Sequence, residues 1–259
     1  MVHVHERTGD LAVPTRVALS VVVPAFNEAP NLEWLVAEVR GALDPFGFPW
    51  ELVVVDDGSA DETAALLGRL TATDPRVRSL HLPHRSGQTA ALLAGFHAAR
   101  GPFIATLDAD LQCPPSELPA LIDLLGEADL VCGIRVRRHD PLSRRLASAC
   151  SNLVRRLIVA PGVRDLACPL RVFRADALAE VEAMTTLFDG AHRWLPALFA
   201  LSGLAVVQRP VTHHPRRAGV SKYTTRGRLV PVARELAHVL GLRLRRALGG
   251  GPVHPRDMT

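Results

Sequence analysis

The chain has 259 residues, 48% of them hydrophobic, and four cysteines (Cys113, Cys132, Cys150 and Cys168) spread evenly with no CxxC pair. That length supports one large domain or at most two small ones, and the cysteine pattern excludes a disulfide framework and a zinc site, which points to a reducing cytoplasm. The formal charge of +4 conceals a division: residues 1–131 hold 18 Asp/Glu against 8 Arg, and residues 132–259 hold 22 Lys/Arg against 8 Asp/Glu. An acidic half suits cations and a basic half suits phosphates or an anionic membrane. The basic half has few aromatics to stack bases, which argues against nucleic acid. "MVHVHERTGD" has no apolar signal region, and the longest apolar run, 194–207, falls short of the ~20 residues that span a bilayer.

"VALSVVVPAF" (17–26), closed by Pro24, reads as a buried strand, and "NEAPNLEWLVAEVRGAL" after it as a helix with a first-turn proline. "WELVVVDDGSADETAALLGRL" repeats the pattern, with Asp61 as the expected cap. "VRSLHLP" with "GQTAALLAGFHAAR", and "FIATLDADLQ" with "PSELPALIDLLG", supply two more strand–helix units, and "ADLVCGIR" a fifth strand. This alternation predicts an α/β fold with a mostly parallel sheet covered on both faces, and ligands beyond the carboxyl ends of its strands. After residue 135 the regularity breaks. "RRHDPLSRRLASACSNLVRRLIVAPG" reads as a basic amphipathic helix, and "RVFRADALAEVEA" as a strand turning into a helix. "GLAVVQRPVTHHPRR" reads as a strand entering a basic loop. Segment 229–248 is helical in pattern, with Leu229, Val232, Ala233, Leu236, Leu240 and Leu244 on one stripe and Arg243, Arg245 and Arg246 near its end.

Three motifs converge on one rim. In "LDADLQ", Asp108, Asp110 and Gln112 alternate, so an extended backbone would aim their oxygens to one side, where a hard cation such as Mg²⁺ or Mn²⁺ fits. "DDGS" sets Asp56 and Asp57 at a strand end, where a carboxylate can accept from a nucleobase or ribose; an Asp-Gly turn is the plainer meaning. "PAFNE" offers Pro24, Ala25 and the carboxylate of Glu28. A lone DxD is more often an exposed acidic turn, and the two neighbouring motifs favour metal here.

"PAFNE", "DDGSAD", "SGQTAALLAGFHAARG" and "DADLQ", in this order and spacing, resemble the family 2 glycosyltransferases of the GT-A fold. With "GIR" at 133–135, "DLACPLRVFR", "DGAHRWLPAL" and "HHPRRAGVSKY", they resemble the polyprenyl-phosphate sugar transferases, dolichyl-phosphate mannose synthase included. The resemblance covers 17–226 and implies roles. Pro24, Ala25, Glu28 and Asp57 hold the base and ribose of a nucleotide-sugar, GDP-mannose or a UDP-hexose. Asp108 contacts ribose or metal, and Asp110 and Gln112 hold Mg²⁺ or Mn²⁺. Arg135 reaches the phosphates. Arg144 and Ser148 receive the acceptor phosphate of a polyprenyl phosphate, and Arg217, Ser221, Lys222 and Tyr223 close over the diphosphate. Asp165 stands near the acceptor, as base or as positioning group. His192, His213 and His214 read as structural groups or hydrogen-bond donors near phosphate.

The expected organisation is an N-terminal extension (1–16), a GT-A catalytic domain (17–228) and a basic C-terminal helix and tail (229–259). Peripheral contact with the inner membrane face is expected through 140–158 and 229–248. Two features depart from the resemblance: Pro169 stands where relatives often carry Gly, and Gln88 where many carry Lys. A soluble acceptor with the same donor, or a non-catalytic nucleotide-binding protein, are the alternatives; the arginine cluster argues against the first and the Asp108, Asp110, Gln112 set against the second.

Overall fold

The structure is a computed structural model, and it describes residues 17–135, 163–185, 187–216 and 229–247. The strands are β1 (Leu19–Ala25), β2 (Trp50–Asp56), β3 (Val77–His81), β4 (Phe103–Thr106), β5 (Leu130–Arg135), β6 (Arg171–Arg174) and β7 (Val206–Val211). The helices are α1 (Ala29–Leu43), α2 (Thr63–Thr73), α3 (Gln88–Ala98), α4 (Leu118–Ile122), α5 (Ala175–Met184), α6 (Leu195–Leu201) and α7 (Leu229–Ala247). One sheet runs in the order β3-β2-β1-β4-β6-β5-β7. All neighbours are parallel except β6, which lies antiparallel between β4 and β5. The mostly parallel sheet expected from the sequence is therefore present, with one reversed strand that the repeating strand–helix pattern gave no sign of.

Alternation along the valine-rich strands explains the layering. Val21, Val23, Leu52 and Val54 face a core shared with α1, α2 and α4, while Val22, Val53 and Val55 face one shared with α3, α5 and α6. Both faces are covered, so the strands read as continuous apolar runs. On the second face Phe96, Phe173 and Phe199 meet edge to face, with centroids 5.3 and 5.6 Å apart. Glu62, not the expected Asp61, is the N-cap of α2; Asp61, one residue earlier, accepts the first helical N–H, that of Thr63, at 3.0 Å.

Two elements differ from the sequence reading. β4 stops at Thr106, six residues short of the strand read as "FIATLDADLQ", because the chain turns at 108–112 with Leu111 in the left-handed region (φ 57°). On α7, Leu236 of the stripe packs into the second core together with Val239 and Leu242, which lie outside the stripe, whereas Leu244 of the stripe is exposed. The stripe read from the sequence is thus divided between the protein interior and solvent.

Candidate active site

In-register parallel pairing brings the carboxyl ends of β1, β2 and β4 to one rim. Ala25 pairs with Asp56, and Val22 with Thr106. The Ala25 carbonyl accepts the Asp57 N–H at 2.8 Å, which sets the "PAFNE" and "DDGS" turns side by side. The Asp57 carboxylate accepts the N–H groups of Ser86 (2.6 Å) and Gly87 (2.9 Å). Asp57 therefore braces the loop that leads into α3. Gly58 completes the brace: its φ is +68°, and a Cβ there would lie 2.6 Å from the Arg85 nitrogen. Glu28 is buried, accepting from the Asn31 amide at 2.6 Å, with its own N–H on the Thr63 hydroxyl.

Asp108 and Asp110 lie in the turn rather than on an extended strand, so alternation is not what orients them. The turn is held by Leu111 N–H on the Asp108 carbonyl and by Gln112 N–H on the Asp110 carboxylate at 3.2 Å. Asp108 accepts from the Gln88 side chain at 2.9 Å. Gln88, which stands where many relatives carry Lys, thus serves the first carboxylate of the motif. Burial, and then the charge of Asp110, push the Asp108 carboxyl up to about 7. Burial likewise raises Asp110, against the pull of Arg216.

Arg216 lies between these motifs. Its guanidinium pairs with Asp110 at 2.8 Å and with Glu28 at 3.4 Å. Gln112 helps carry this segment, its carbonyl accepting the His214 N–H at 2.8 Å. The sequence reading named Arg217 and not Arg216; the fold is what brings Arg216 to the carboxylates.

Arg135, the last residue of β5, forms a two-pronged pair with Asp165, Nε at 2.8 Å and Nη2 at 2.9 Å. The same carboxylate accepts the Arg135 and Ala167 N–H groups at 3.3 and 3.2 Å. Burial works against the Arg135 charge, but the bonds and charge of Asp165 outweigh it and hold the guanidinium firmly ionised. Beneath them Cys113 and Cys168 are buried; the hydrogen bond to Cys168, and then burial, push the Cys113 thiol up, away from nucleophilic use.

A second buried arginine, Arg171 on β6, donates to the carbonyls of Leu166 (2.9 Å) and His192. It makes no ion pair among the described residues, and burial lowers its affinity for a proton. His192 lies 2.7 Å from the Thr89 hydroxyl at the start of α3. Burial, followed by the charges of Arg193 and Arg171, holds the imidazole well below its ordinary value. The neutral ring can accept the Thr89 O–H at Nδ1. Thr89, Arg171 and Arg216 lie inside motifs quoted above, but a single sequence gives them no role, because their partners come from distant segments.

The profile described as "Glycosyl transferase family 2" matches residues 20–182. The chain belongs to this family. This family 2 glycosyltransferase is 37% identical over 211 residues to a dodecaprenyl-phosphate galacturonate synthase of Rhizobium johnstonii, covering 79% of this chain and 61% of that one. It is 36% identical over 209 residues to an undecaprenyl-phosphate 4-deoxy-4-formamido-L-arabinose transferase of Pectobacterium carotovorum, covering 80% and 62%. The chain therefore spans under two thirds of the length of these relatives. A mannosyltransferase from Pyrobaculum calidifontis, solved with GDP-Man and Mn2+, superposes with a TM-score of 0.62 at 20% identity, over 96% of this chain and 70% of that one. Glucosyl-3-phosphoglycerate synthase from Mycobacterium tuberculosis, solved with Mn2+, UDP and its product, gives 0.59 at 20% identity, over 96% and 88%. The shared fold is GT-A.

The acidic turn of this glycosyltransferase fits a divalent cation held jointly with a phosphate ligand. Two recessed carboxylates repel each other, so positive charge at the turn would relieve both. No group of three His, Cys, Asp or Glu gathers at metal-binding spacing among the described residues. The expected site residues Arg144, Ser148, Arg217, Ser221, Lys222 and Tyr223, and the basic segment 140–158, lie outside the described residues. No described helix is long and apolar enough to cross a membrane.

Proposed function

We propose that this glycosyltransferase moves a hexose-type sugar from a nucleotide-sugar to a polyprenyl phosphate, with inversion and with Mg²⁺ or Mn²⁺ at the acidic turn. The observation that carries this is the meeting of Glu28 and Asp110 on one arginine, with Asp108 in the same turn, at the carboxyl end of the sheet. Pro24, Ala25, Glu28 and the Asp57-braced loop would line the nucleotide. Asp108 and Asp110, with Gln112 beside them, would hold the cation. When bound, the cation supplies positive charge against the departing nucleoside diphosphate. Arg216 would exchange its carboxylates for the diphosphate. Arg135 would meet phosphate oxygens from the far side, kept in place by Asp165.

The names of the relatives support a polyprenyl phosphate as acceptor. Such a phosphate monoester is already largely ionised near neutral pH. Its attack on the anomeric carbon needs positive steering more than proton removal, so Asp165, engaged by four N–H groups, acts as the positioning group. Membrane contact would fall to the outward part of α7, where exposed Leu244 stands among Arg243, Arg245 and Arg246. Residues 17–228 would form the catalytic unit, with 1–16 as an extension and 229–259 as the membrane-facing segment. The reaction would take place on the cytoplasmic face of the membrane, in cell-envelope glycosylation.

A donor panel tests this reading: GDP-mannose, UDP-glucose, UDP-N-acetylglucosamine and nucleotide-activated galacturonate, each with polyprenyl phosphate or a soluble alcohol. Release of nucleoside diphosphate that requires the polyprenyl phosphate, and that stops with EDTA or Asp110→Ala, is expected. Release that survives both the chelator and the substitution overturns the metal role, and release with the soluble acceptor alone overturns the lipid acceptor.

A further inference from the structure

Glu235, on α7, is a carboxylate only 4% exposed, 70 residues beyond Asp165 in the chain. It accepts the indole N–H of Trp194 at 2.8 Å and the guanidinium of Arg193, Nε at 3.3 Å. Gly190 makes room for it. A Cβ at Gly190 would collide with the Glu235 carboxylate, and the φ of +89° there independently favours glycine. Phe188 packs at a tilt against His238 one turn further along the helix, with centroids 4.3 Å apart. The helix is thus clamped to the loop 187–194 at several points.

The other side of that loop faces the acidic turn. The Gly190 N–H donates to the Thr89 hydroxyl at 2.9 Å, and the same hydroxyl meets His192. Thr89 follows Gln88, whose amide holds Asp108. The His192 carbonyl receives Arg171, whose other arm holds Leu166, next to Asp165 and its Arg135 partner. Every link is a hydrogen bond or a peptide bond; those from Trp194 to Glu235, Gly190 to Thr89 and Arg171 to Leu166 are buried, where such bonds hold geometry best.

We propose that Glu235 is a positioning residue: through the 187–194 loop, α7 sets the placement of the Gln88–Asp108 and Arg135–Asp165 pairs. This rests on the transferase reading only for its effect on rate. The physical reason is that a buried carboxylate receiving N–H groups from adjacent residues fixes the loop in rotation as well as in position, and apolar packing alone would let it slide. A displacement well under 1 Å at Asp108 is enough to matter to a reaction that depends on alignment.

Hydrogen–deuterium exchange on the full chain tests the linkage without any substrate. In Glu235→Gln, peptides covering 86–93 and 187–198 should exchange about tenfold faster or more, while 50–73 keeps its wild-type protection. Acceleration confined to α7 and 187–198, or spread evenly over the chain, overturns the proposal. If Glu235→Gln does not fold, Glu235→Asp, which shortens the reach but keeps the charge, serves in the same comparison. In a transfer assay, Glu235→Gln and Thr89→Val should each lower kcat by about tenfold or more with donor KM within about twofold. Their combination should be no slower than the slower single variant, since both cut one linkage. Multiplied losses overturn the relay, whereas Thr89→Ser should recover most of what Thr89→Val loses. If the wild type transfers no sugar to polyprenyl phosphate, the transferase reading falls, and the exchange experiment still decides the linkage.

Discussion

Asp165→Asn separates two roles that one carboxylate could play. In the structure Asp165 neutralises Arg135 through a two-pronged bond, with 17% and 6% of the arginine and aspartate side chains exposed. Asparagine keeps one acceptor oxygen and turns an NH₂ toward a guanidinium N–H, which leaves a mostly buried cation unpaired. Breaking a buried pair by removing one partner costs about 3–5 kcal/mol, and the residual exposure of Arg135 lowers the expected figure to about 2–4 kcal/mol. For a chain of this size that is a fall in Tm of roughly 5–12 °C. Urea denaturation and calorimetry measure it directly. The double variant Arg135→Gln with Asp165→Asn should regain part of the loss, with a coupling of about 1–3 kcal/mol, because the stranded charge is gone. A base, by contrast, would be lost from kcat with stability intact. If Asp165→Asn melts within about 1 °C of wild type, the positioning argument is wrong.

Arg216→Met should tighten binding of Mn2+ alone by about fivefold, because the guanidinium that competes for Asp110 is removed; electron paramagnetic resonance titration checks this, and unchanged or weaker binding refutes the competition. Asp74 is 4% exposed and receives Arg40 at 2.6 Å and Arg76 at 3.2 Å. Burial pushes its carboxyl up, but the bonds from Arg76 and Arg40 outweigh that and hold it below its ordinary value. A depressed carboxyl stabilises the fold above its unfolded value and loses that contribution as pH falls through the folded one. Asp74→Asn should therefore flatten the acid limb of stability in urea melts taken between about pH 5 and pH 2; an unchanged slope refutes it. Gly58→Ala forces a Cβ against the His84–Arg85 backbone at a positive φ and should cost about 2–3 kcal/mol; a loss under about 0.5 kcal/mol in the same melts would show that the loop yields.

The sequence by itself determined the local chemistry. Runs such as "LSVVVPA" and "WELVVVD" admit little but buried strands, since a continuous apolar β-branched segment must be covered on both sides. The order of those runs with their helices set the class of fold, and the strand ends set which motifs share a rim. The same reading named Asp108, Asp110 and Asp165 as groups to watch. The tertiary structure decided what each of them touches. A period-2 pattern in "DADLQ" looked like a strand, but the left-handed Leu111 turns the chain there, and no local pattern distinguishes the two. Arg216 reaches Asp110 because of where β7 ends, and Gln88 serves Asp108 because α3 begins beside it. α7 showed an amphipathic stripe from its spacing alone. That the stripe divides between core and solvent, and that Glu235 is buried against Trp194, depends on a neighbour 41 residues away. Periodicity reports that a face is apolar; only packing chooses what covers it.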